Sequence, residues 1–578
     1  MTPRSLREFA IQWMADDPEA QHAAEVQERL DDEPWLSEHF ATPLDFGTAG
    51  IRGKLGAGPA FMNRALVRRV TAAVGATLSE RSASALVVIG FDARDGSRLF
   101  ASDAARVLGG LGHRVRLFEQ VVPTPRLAHA VTWHRADAGL MITASHNPPK
   151  DNGIKVYDAL GAQIVAPVDA DIRRRINWIA PLTSIATPSR EDLSKAQLIE
   201  APDATAHDAW LSAALNQRVA PHVERTPLRI GYSAMHGVAG EDVVAVLQRA
   251  GHHDVRVVSA QQSPDGAFPT LPNPNPQDPS ALSKLVALGI EADCRLLLAN
   301  DPDGDRLAVV TRDAQGRQRV FSGDEIGLLL AADLLAHGDR STPRCVVASL
   351  VSSGLLSDVA KTYGARSIET LTGFKWISRA ALAAEENGER FVFGFEEAIG
   401  YCAGLHVRDK DGVTAAVLVA DLAARLATTG RTLEDALYEL FEAHQLVVNV
   451  QQAIRFEGPH AADEMADAMT ALRNSPPRLF GAHPVQQVRD LLSGQVIHYP
   501  ANDVHQTTLP SADVLEWRLE NGDRVLFRPS GTEPKLKIYA ERRRDWQTDK
   551  PGVTQHQAAK QEAHRLLEQA ANCLRQRK

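Results

Sequence analysis

Asp301, Asp303 and Asp305 put three carboxylates into five residues, a spacing that has to be answered by positive charge. Two unit charges roughly 4 Å apart repel by about 4 kcal/mol at an effective dielectric near 20, and only Arg306 lies close enough in sequence to offset them. Pro302 and Gly304 bend the segment so that the carboxylates can turn toward one point. Hard oxygen donors of this kind suit Mg2+ or Ca2+. An EF-hand loop does not fit: its sixth position calls for Gly and holds Arg306, and its twelfth calls for Glu and holds Arg312. Mg2+ takes few protein carboxylates and completes its shell with water or phosphate, so it is the expected ion. The competing reading is a solvated acidic turn.

Ser145 sits in a loop bounded by Thr143 and by Asn147-Pro148-Pro149. Ser, Asn and Pro form turns, so a plain turn is one reading. A hydrolase nucleophile is another, but no GxSxG elbow surrounds the serine. His146 adjoins it; neighbours in an extended loop point apart, which makes His146 a poor base for Ser145. A serine beside a divalent metal can instead hold a phosphoryl group that supplies the missing oxygen ligand. That reading joins the two loops.

Two segments have the make-up of anion cradles. One is PheGlyThrAlaGlyIleArgGly at 46–53, with Arg52; the other is ArgProSerGlyThrGluProLysLeuLys at 528–537, with Arg528, Ser530, Gly531, Thr532, Lys535 and Lys537. Successive backbone N–H groups in such loops form a nest for phosphate, and the guanidinium fork binds it in two places. Glu396 and Glu397 follow an apolar run; they are either solvated charges or acceptors for sugar hydroxyls. Lys155 and Lys375 lie on Gly-containing segments and are either surface lysines or proton carriers, since an enclosed lysine shifts its pKa readily.

The elements that must position these loops repeat along the chain. A strand over Ala85–Phe91, a helix closed by Gly112 and a strand over Arg114–Phe118 set the pattern. It returns at Leu228–Tyr232, Glu241–Arg249, Gly251 and Val255–Val258, and again at Cys345–Leu350, Leu355–Tyr363, Gly364 and Ala365–Glu369. Each Gly stands where a helix C-cap needs positive φ. Strand–helix–strand units predict parallel sheets with helices on their faces. After each unit comes one more apolar strand, over Gly139–Thr143, Arg295–Ala299 and Phe391–Phe395, and its C-terminal end leads into Ser145, the aspartates or the glutamate pair. Open α/β sheets bind ligands beyond the carboxyl ends of their strands, so three related domains converging on one cleft are expected. Past about Gln451 a helix near Ala461–Leu472 and strands near Val514–Leu519, Arg524–Phe527 and Lys537–Ala540 predict a smaller α+β domain.

Bulk properties narrow the class. A chain of 578 residues predicts roughly 3–5 domains. A net charge of -9 argues against a general nucleic-acid binder. Cys294, Cys345, Cys402 and Cys573 form no CxxC pair, which fits neither a zinc site nor a disulfide framework and suits a reducing compartment. No targeting peptide and no apolar run of about 20 residues is evident, so a cytoplasmic enzyme without a membrane partner is expected.

Together FGTAGIRG, TASHNP, DPDGDR, TGFK, GFEEAIGY and RPSGTEPK, in this order between about Phe46 and Tyr539, resemble the α-D-phosphohexomutase superfamily of phosphoglucomutases and phosphomannomutases. The resemblance implies a phosphosugar mutase with four domains around a deep cleft. It implies Ser145 as the phosphoserine and Asp301, Asp303 and Asp305 holding Mg2+ with a phosphoserine oxygen. Glu396 and Glu397 would read sugar hydroxyls, and Arg528–Thr532 would clamp the non-transferring phosphate, with Lys537 in the substrate set. Arg52, Lys155, Arg306 and Lys375 would surround the reacting group, Lys375 first as proton shuttle, with His146 kept among the candidates. His406 and ArgAspLysAspGly at 408–412 share the resemblance and receive no role.

The expected organisation is a helical preamble over 1–45, a phosphoserine domain over 46–205, a metal-binding domain over 206–322, a sugar-binding domain over 323–455 and a phosphate-binding domain over 456–578. The expected reaction interconverts hexose 1-phosphate and hexose 6-phosphate, glucose before mannose, with glucose 1,6-bisphosphate or the matching sugar bisphosphate as activator. The preamble and GFEEAIGY look most like the subgroup with phosphopentomutase activity, which is the alternative. A sugar-phosphate phosphatase and a non-catalytic sugar-phosphate sensor are the competing classes.

Overall fold

The computed structural model describes residues 5–45, 50–176, 178, 180–313, 315–458, 460–531 and 534–575. The chain forms two compact units, Met1–Phe321 with Ala398–Ala424, and Ser322–Glu397 with Arg425–Lys578.

The first unit opens with three short helices, Leu6–Asp16, Ala20–Glu28 and Glu33–Phe40. Ser5 caps the first through a reciprocal bond with Glu8, and Asp32 caps the third. Their apolar faces bury Trp13 and Phe40 against Ala57, Ala65 and Leu182. A six-stranded sheet follows, centred on the buried strand Leu86–Phe91, which pairs in parallel with Arg114–Leu117 and with Ala138–Ile142. A second, five-stranded sheet pairs Ile230–Ser233 in parallel with Val255–Val257 and with Leu296–Asn300.

The strand–helix–strand pattern predicts parallel pairing, and the structure keeps it only in part of each sheet. Asp151–Asp158 returns antiparallel beside Ala138–Ile142, and Leu307–Arg312 returns antiparallel beside Leu296–Asn300. A parallel return needs a crossover of about a dozen residues or more. The links 143–150 and 301–306 are too short for one, so each becomes a hairpin loop. Those two links are the segments that carry Ser145 and the aspartates.

In the second unit, Arg344–Ser349 pairs in parallel with Arg366–Thr370 and with Arg390–Glu396. An eight-stranded sheet then runs from Leu446–Arg455 through Lys535–Arg544, Arg524–Pro529 and Leu515–Leu519 to His483–Asp490 and beyond, with every neighbouring pair antiparallel. Trp517, Phe527 and Ile538 fill its core. The chain thus has three related α/β sheets and an α+β part that closes the sequence. Among the described residues no helix is long and apolar enough to cross a membrane.

Candidate active site

Leu296–Asn300 is buried along its length and delivers the chain to Asp301 inside the first unit. Gly304, at φ 73, lets the loop turn, its N–H donating to the Asp301 carbonyl at 2.9 Å. Asn300 then closes the hairpin by donating from Nδ2 to the Arg306 carbonyl at 2.6 Å. The result is three fully buried aspartates with carboxylate oxygens within 4.8 Å of one another. Lys155, on the strand Asp151–Asp158, donates to Asp303 Oδ2 at 2.7 Å and to Asp305 Oδ2 at 2.8 Å. Thr124 adds a hydroxyl bond to Asp303 Oδ2 at 2.6 Å, and Lys410 Nζ stands 3.2 Å from Asp305 Oδ2. Arg306 Nε is more distant, 3.9 Å from both Asp301 and Asp305.

Ser145 follows the strand Ala138–Ile142 and sits at φ 53, its N–H donating to Thr143 Oγ1 at 2.9 Å. Its hydroxyl donates to Asp301 Oδ2 at 2.8 Å. His146 Nδ1 lies 3.2 Å from the same hydroxyl. The expectation that the two side chains point apart is therefore corrected. It assumed an extended loop, whereas the left-handed backbone at Ser145 folds His146 back over its neighbour.

The charges resolve in a definite pattern. Burial, with Asp303 and Asp305 alongside, pushes the Asp301 carboxyl well above the usual range. Burial would raise Asp303 too, but the Lys155 ammonium outweighs it and holds that carboxyl below its ordinary value. Asp305 is held down by Lys155, Lys410 and Arg306 against burial and the Asp303 charge. Burial would lower Lys155, and the two aspartates more than reverse this, so it stays an ammonium. Burial, with Arg306 and Arg52 alongside, pulls the His146 imidazole well below its ordinary value and leaves it neutral.

Asp303 Oδ1 and Asp305 Oδ1 are buried and accept no hydrogen bond among the described residues. Buried carboxylate oxygens are costly to leave unsatisfied, and three hard donors at this separation fit a divalent cation of the Mg2+ or Ca2+ type. Arg52, on Ile51–Lys54, pairs with Gly153 across the antiparallel strand and has a buried Nε with no acceptor among the described residues. The Phe46–Ala49 part of its cradle lies outside the described residues.

The second unit gathers the other candidates. Arg390–Glu396 carries Glu396, whose Oε1 accepts the Gly373 N–H at 2.7 Å. Gly373, at φ 115, caps the helix Phe374–Glu386, which puts Lys375 in its first turn, Nζ 5.9 Å from the Trp376 ring. The Glu397 N–H donates to Ser352 Oγ at 3.1 Å, and its Oε2 is buried without a hydrogen bond among the described residues. Burial and Glu396 raise the Glu397 carboxyl despite Lys537 and Arg528 nearby. Arg528 and Lys537 face each other on paired strands, and the Ser530 N–H donates to the Lys535 carbonyl at 2.7 Å, closing the turn that includes exposed Gly531. Thr532 lies outside the described residues.

Comparison with known proteins decides the family. The α/β/α domains I, II and III of phosphoglucomutase/phosphomannomutase match residues 43–181, 208–316 and 322–444, and the C-terminal domain matches 478–550. The chain belongs to the phosphoglucomutase/phosphomannomutase family. A Haemophilus influenzae protein named as a probable phosphomannomutase is 37% identical over 83% of this chain and 93% of its own. A Staphylococcus epidermidis phosphoglucomutase is 33% identical over 87% of this chain and 91% of its own. A Burkholderia thailandensis structure described as a phosphoglucomutase/phosphomannomutase family protein shares the fold, with a TM-score of 0.63, 20% identity, and coverage of 90% of this chain and 97% of that one. The protein is thus a phosphohexomutase of this type and an isomerase. The phosphopentomutase alternative finds no support among these relatives.

Several residues of this candidate site escaped the motif reading. Thr124 carries no motif of its own, and a hydroxyl at the start of a helix reads as a capping residue. Lys410 was visible within ArgAspLysAspGly but without a partner to assign it to. Arg94, three residues past the strand Leu86–Phe91, followed the same strand-end rule that singled out Ser145 and was passed over.

Proposed function

We propose that this phosphohexomutase interconverts hexose 1-phosphate and hexose 6-phosphate, with glucose preferred and mannose accepted, through a phosphorylated Ser145 and a sugar bisphosphate. The observation that carries the reading is the 2.8 Å bond from the Ser145 hydroxyl to Asp301, inside a triad with two unsatisfied buried carboxylate oxygens.

Asp301, Asp303 and Asp305 would hold Mg2+ together with a phosphoserine oxygen, and the ion supplies positive charge to the transferring oxygens. Lys155 and Arg306 keep the aspartate loop in register, and Arg52 adds charge beside Ser145. The Ser145 Oγ–P bond breaks as the free hydroxyl oxygen of a sugar monophosphate bonds to phosphorus. The hydroxyl proton passes to a base, with Lys375 first in line and the neutral imidazole of His146 the other candidate. The sugar bisphosphate then turns over, its other phosphate returns to Ser145, and the proton goes back to the sugar oxygen. Such transfers are catalysed mainly by positioning and by preorganised charge.

Turning over requires recognition that survives the turn. Arg528, Ser530, Gly531, Thr532 and Lys537 would clamp whichever phosphate is not reacting. Glu396 and Glu397 would accept bonds from adjacent equatorial hydroxyls, an edge that looks alike from both ends of a glucose ring. Glucose 1,6-bisphosphate would serve as activator by rephosphorylating Ser145. Intact-mass analysis of the purified protein should find one phosphate that maps to Ser145. Isomerisation assays on glucose, mannose, glucosamine and ribose phosphates should rank glucose first. Turnover with no phosphate on Ser145 at any stage would overturn the mechanism, and a higher kcat/KM on ribose 1-phosphate would overturn the substrate.

A further inference from the structure

Arg94 is buried to 3% exposure, and no step of the reaction uses it. Its guanidinium spends all four terminal N–H bonds on backbone carbonyls of one loop. Nη2 donates to Ser145 O and Asn147 O, each at 2.6 Å, while Nη1 donates to Pro148 O at 2.7 Å and Asp151 O at 3.0 Å. Nε faces Asp92 Oδ2 at 3.3 Å, and Asp92 is itself fixed by the Ser97 hydroxyl at 2.7 Å and the Arg94 N–H at 3.0 Å. One side chain therefore ties together four points of the hairpin in which Ser145 takes its left-handed conformation.

The other face of Arg94 reaches the loop that follows the short helix Ser259–Gln262. Its Cζ lies 5.0 Å from the Phe268 ring centroid, a cation–π contact in a buried setting. Gly266, two residues earlier, passes so close that a Cβ there would stand 2.3 Å from Ala93 O and 2.6 Å from Arg94 Cα. The Asp265 N–H donates to His236 O at 2.9 Å, and the Val238 N–H donates to Pro302 O at 2.9 Å. Contacts thus run from the Ser145 carbonyl through Arg94, Phe268 and the 236–238 turn to the loop between Asp301 and Asp303.

We infer that Arg94 is a positioning residue for phosphoryl transfer, clamping the Ser145 loop and, through Phe268, setting its distance from the aspartate loop. The inference rests on Ser145 as the phosphoryl carrier. Lysine cannot replace it: an ammonium is a point donor with three N–H bonds and no planar fork, so it cannot span four carbonyls.

The test uses the full-length protein with Mg2+ and glucose 1,6-bisphosphate, as wild type, Arg94→Lys and Phe268→Leu. Kinetics are measured together with amide hydrogen exchange and thermal unfolding. A misplacement of about 1 Å costs on the order of 100-fold in rate, so Arg94→Lys should lower kcat by about 100-fold and move KM by less than about threefold. Amide exchange should rise across 144–151 and stay unchanged in Leu86–Phe91. Phe268→Leu, which leaves every Arg94 hydrogen bond in place, should lower kcat by roughly tenfold, and it decides the matter if Arg94→Lys fails to fold. A kcat within about threefold of wild type in both variants, or lost activity with unchanged exchange in 144–151, overturns the role of Arg94. If wild type never carries phosphate on Ser145 while Arg94→Lys still loosens the loop and loses turnover, the phosphoserine reading fails and the clamp stands.

Discussion

The carboxyl groups of Asp303 and Asp305 in the first unit and of Asp324 and Glu397 in the second are all buried, and they meet opposite fates. In the first, Asp303 and Asp305 are drawn below their ordinary values because Lys155 sits 2.7 and 2.8 Å away and outweighs burial. In the second pair burial prevails: Asp324 is pushed up to about 7 and Glu397 is also raised, whereas Glu516 and Glu541 of the same unit are held down by neighbouring arginines. The difference separates two kinds of preorganisation. The serine–aspartate region carries its own cations and keeps Asp303 and Asp305 charged before any substrate arrives. The glutamate region is short of compensation and gains most from a partner that donates hydrogen bonds. On the proposed reading, phosphoryl chemistry would use the first arrangement and sugar recognition the second.

The largest break in this comparison should come from Ser145→Ala. The side chain is small and its loop is held by backbone contacts, so folding should be retained. Loss of a nucleophile that defines the pathway costs on the order of 10⁴-fold or more in kcat. Circular dichroism and turnover on glucose 1-phosphate check both halves, and substantial residual activity would remove Ser145 from the mechanism.

Asp303→Asn comes next, with turnover reduced by about 10²- to 10³-fold and weaker dependence on Mg2+. The substitution removes a charge that balances Lys155 and an oxygen from the triad. Chelation of the wild type should abolish turnover reversibly. Full activity in chelator would leave the aspartates as a structural turn.

Glu396→Gln probes the second region and should cost less, about 10- to 100-fold in kcat/KM on both glucose and mannose phosphates. The amide keeps an acceptor for the Gly373 N–H, so the helix cap survives while the charged acceptor is lost. An unchanged kcat/KM on both sugars would detach the glutamate pair from sugar recognition.

These contrasts were unevenly visible in the sequence. The parallel strands announced themselves as apolar runs such as Leu296–Asn300, buried at every position, and each ended in the polar cluster that drew attention. Their antiparallel partners did not. Asp151–Asp158 begins Asp-Asn-Gly and includes Lys155, residues depleted in strands, and only pairing with Ile51–Lys54 on one side and Ala138–Ile142 on the other makes it one. The same override hid the chemistry of Arg94, whose value lies in four carbonyls spread over 145–151 that no local pattern brings together. His146 was misjudged because one left-handed residue reverses the direction of its neighbour, and a serine at positive φ is not announced by residue type.

The smallest effect expected concerns stability, and it isolates the uncompensated side of the comparison. Among the described residues Asp324 forms no ion pair: Oδ2 accepts from Asn449 Nδ2 at 2.7 Å and Oδ1 accepts from the Ser353 N–H at 2.8 Å. Burial, joined by Glu397 and Glu541, lifts its carboxyl from 3.8 to about 7 in the folded state. Between those values the native protein keeps a proton that the unfolded chain has already released. The native state then binds more protons than the unfolded state, so stability falls as pH rises. The contribution is fully present below pH 3.8, declines through the interval and is completely lost above about pH 7. Asp324→Asn cannot ionise and should flatten this slope. Rotation of the Asn449 amide, whose Oδ1 accepts no bond among the described residues, would give the new side chain a partner. The expected readout is a melting temperature that drops by a few degrees more between pH 5 and pH 8 in wild type than in the variant, at about 2–4 °C per kcal/mol for domains of this size. Parallel pH profiles for the two proteins would mean that Asp324 ionises normally and that its carboxyl is as well compensated as those of Asp303 and Asp305.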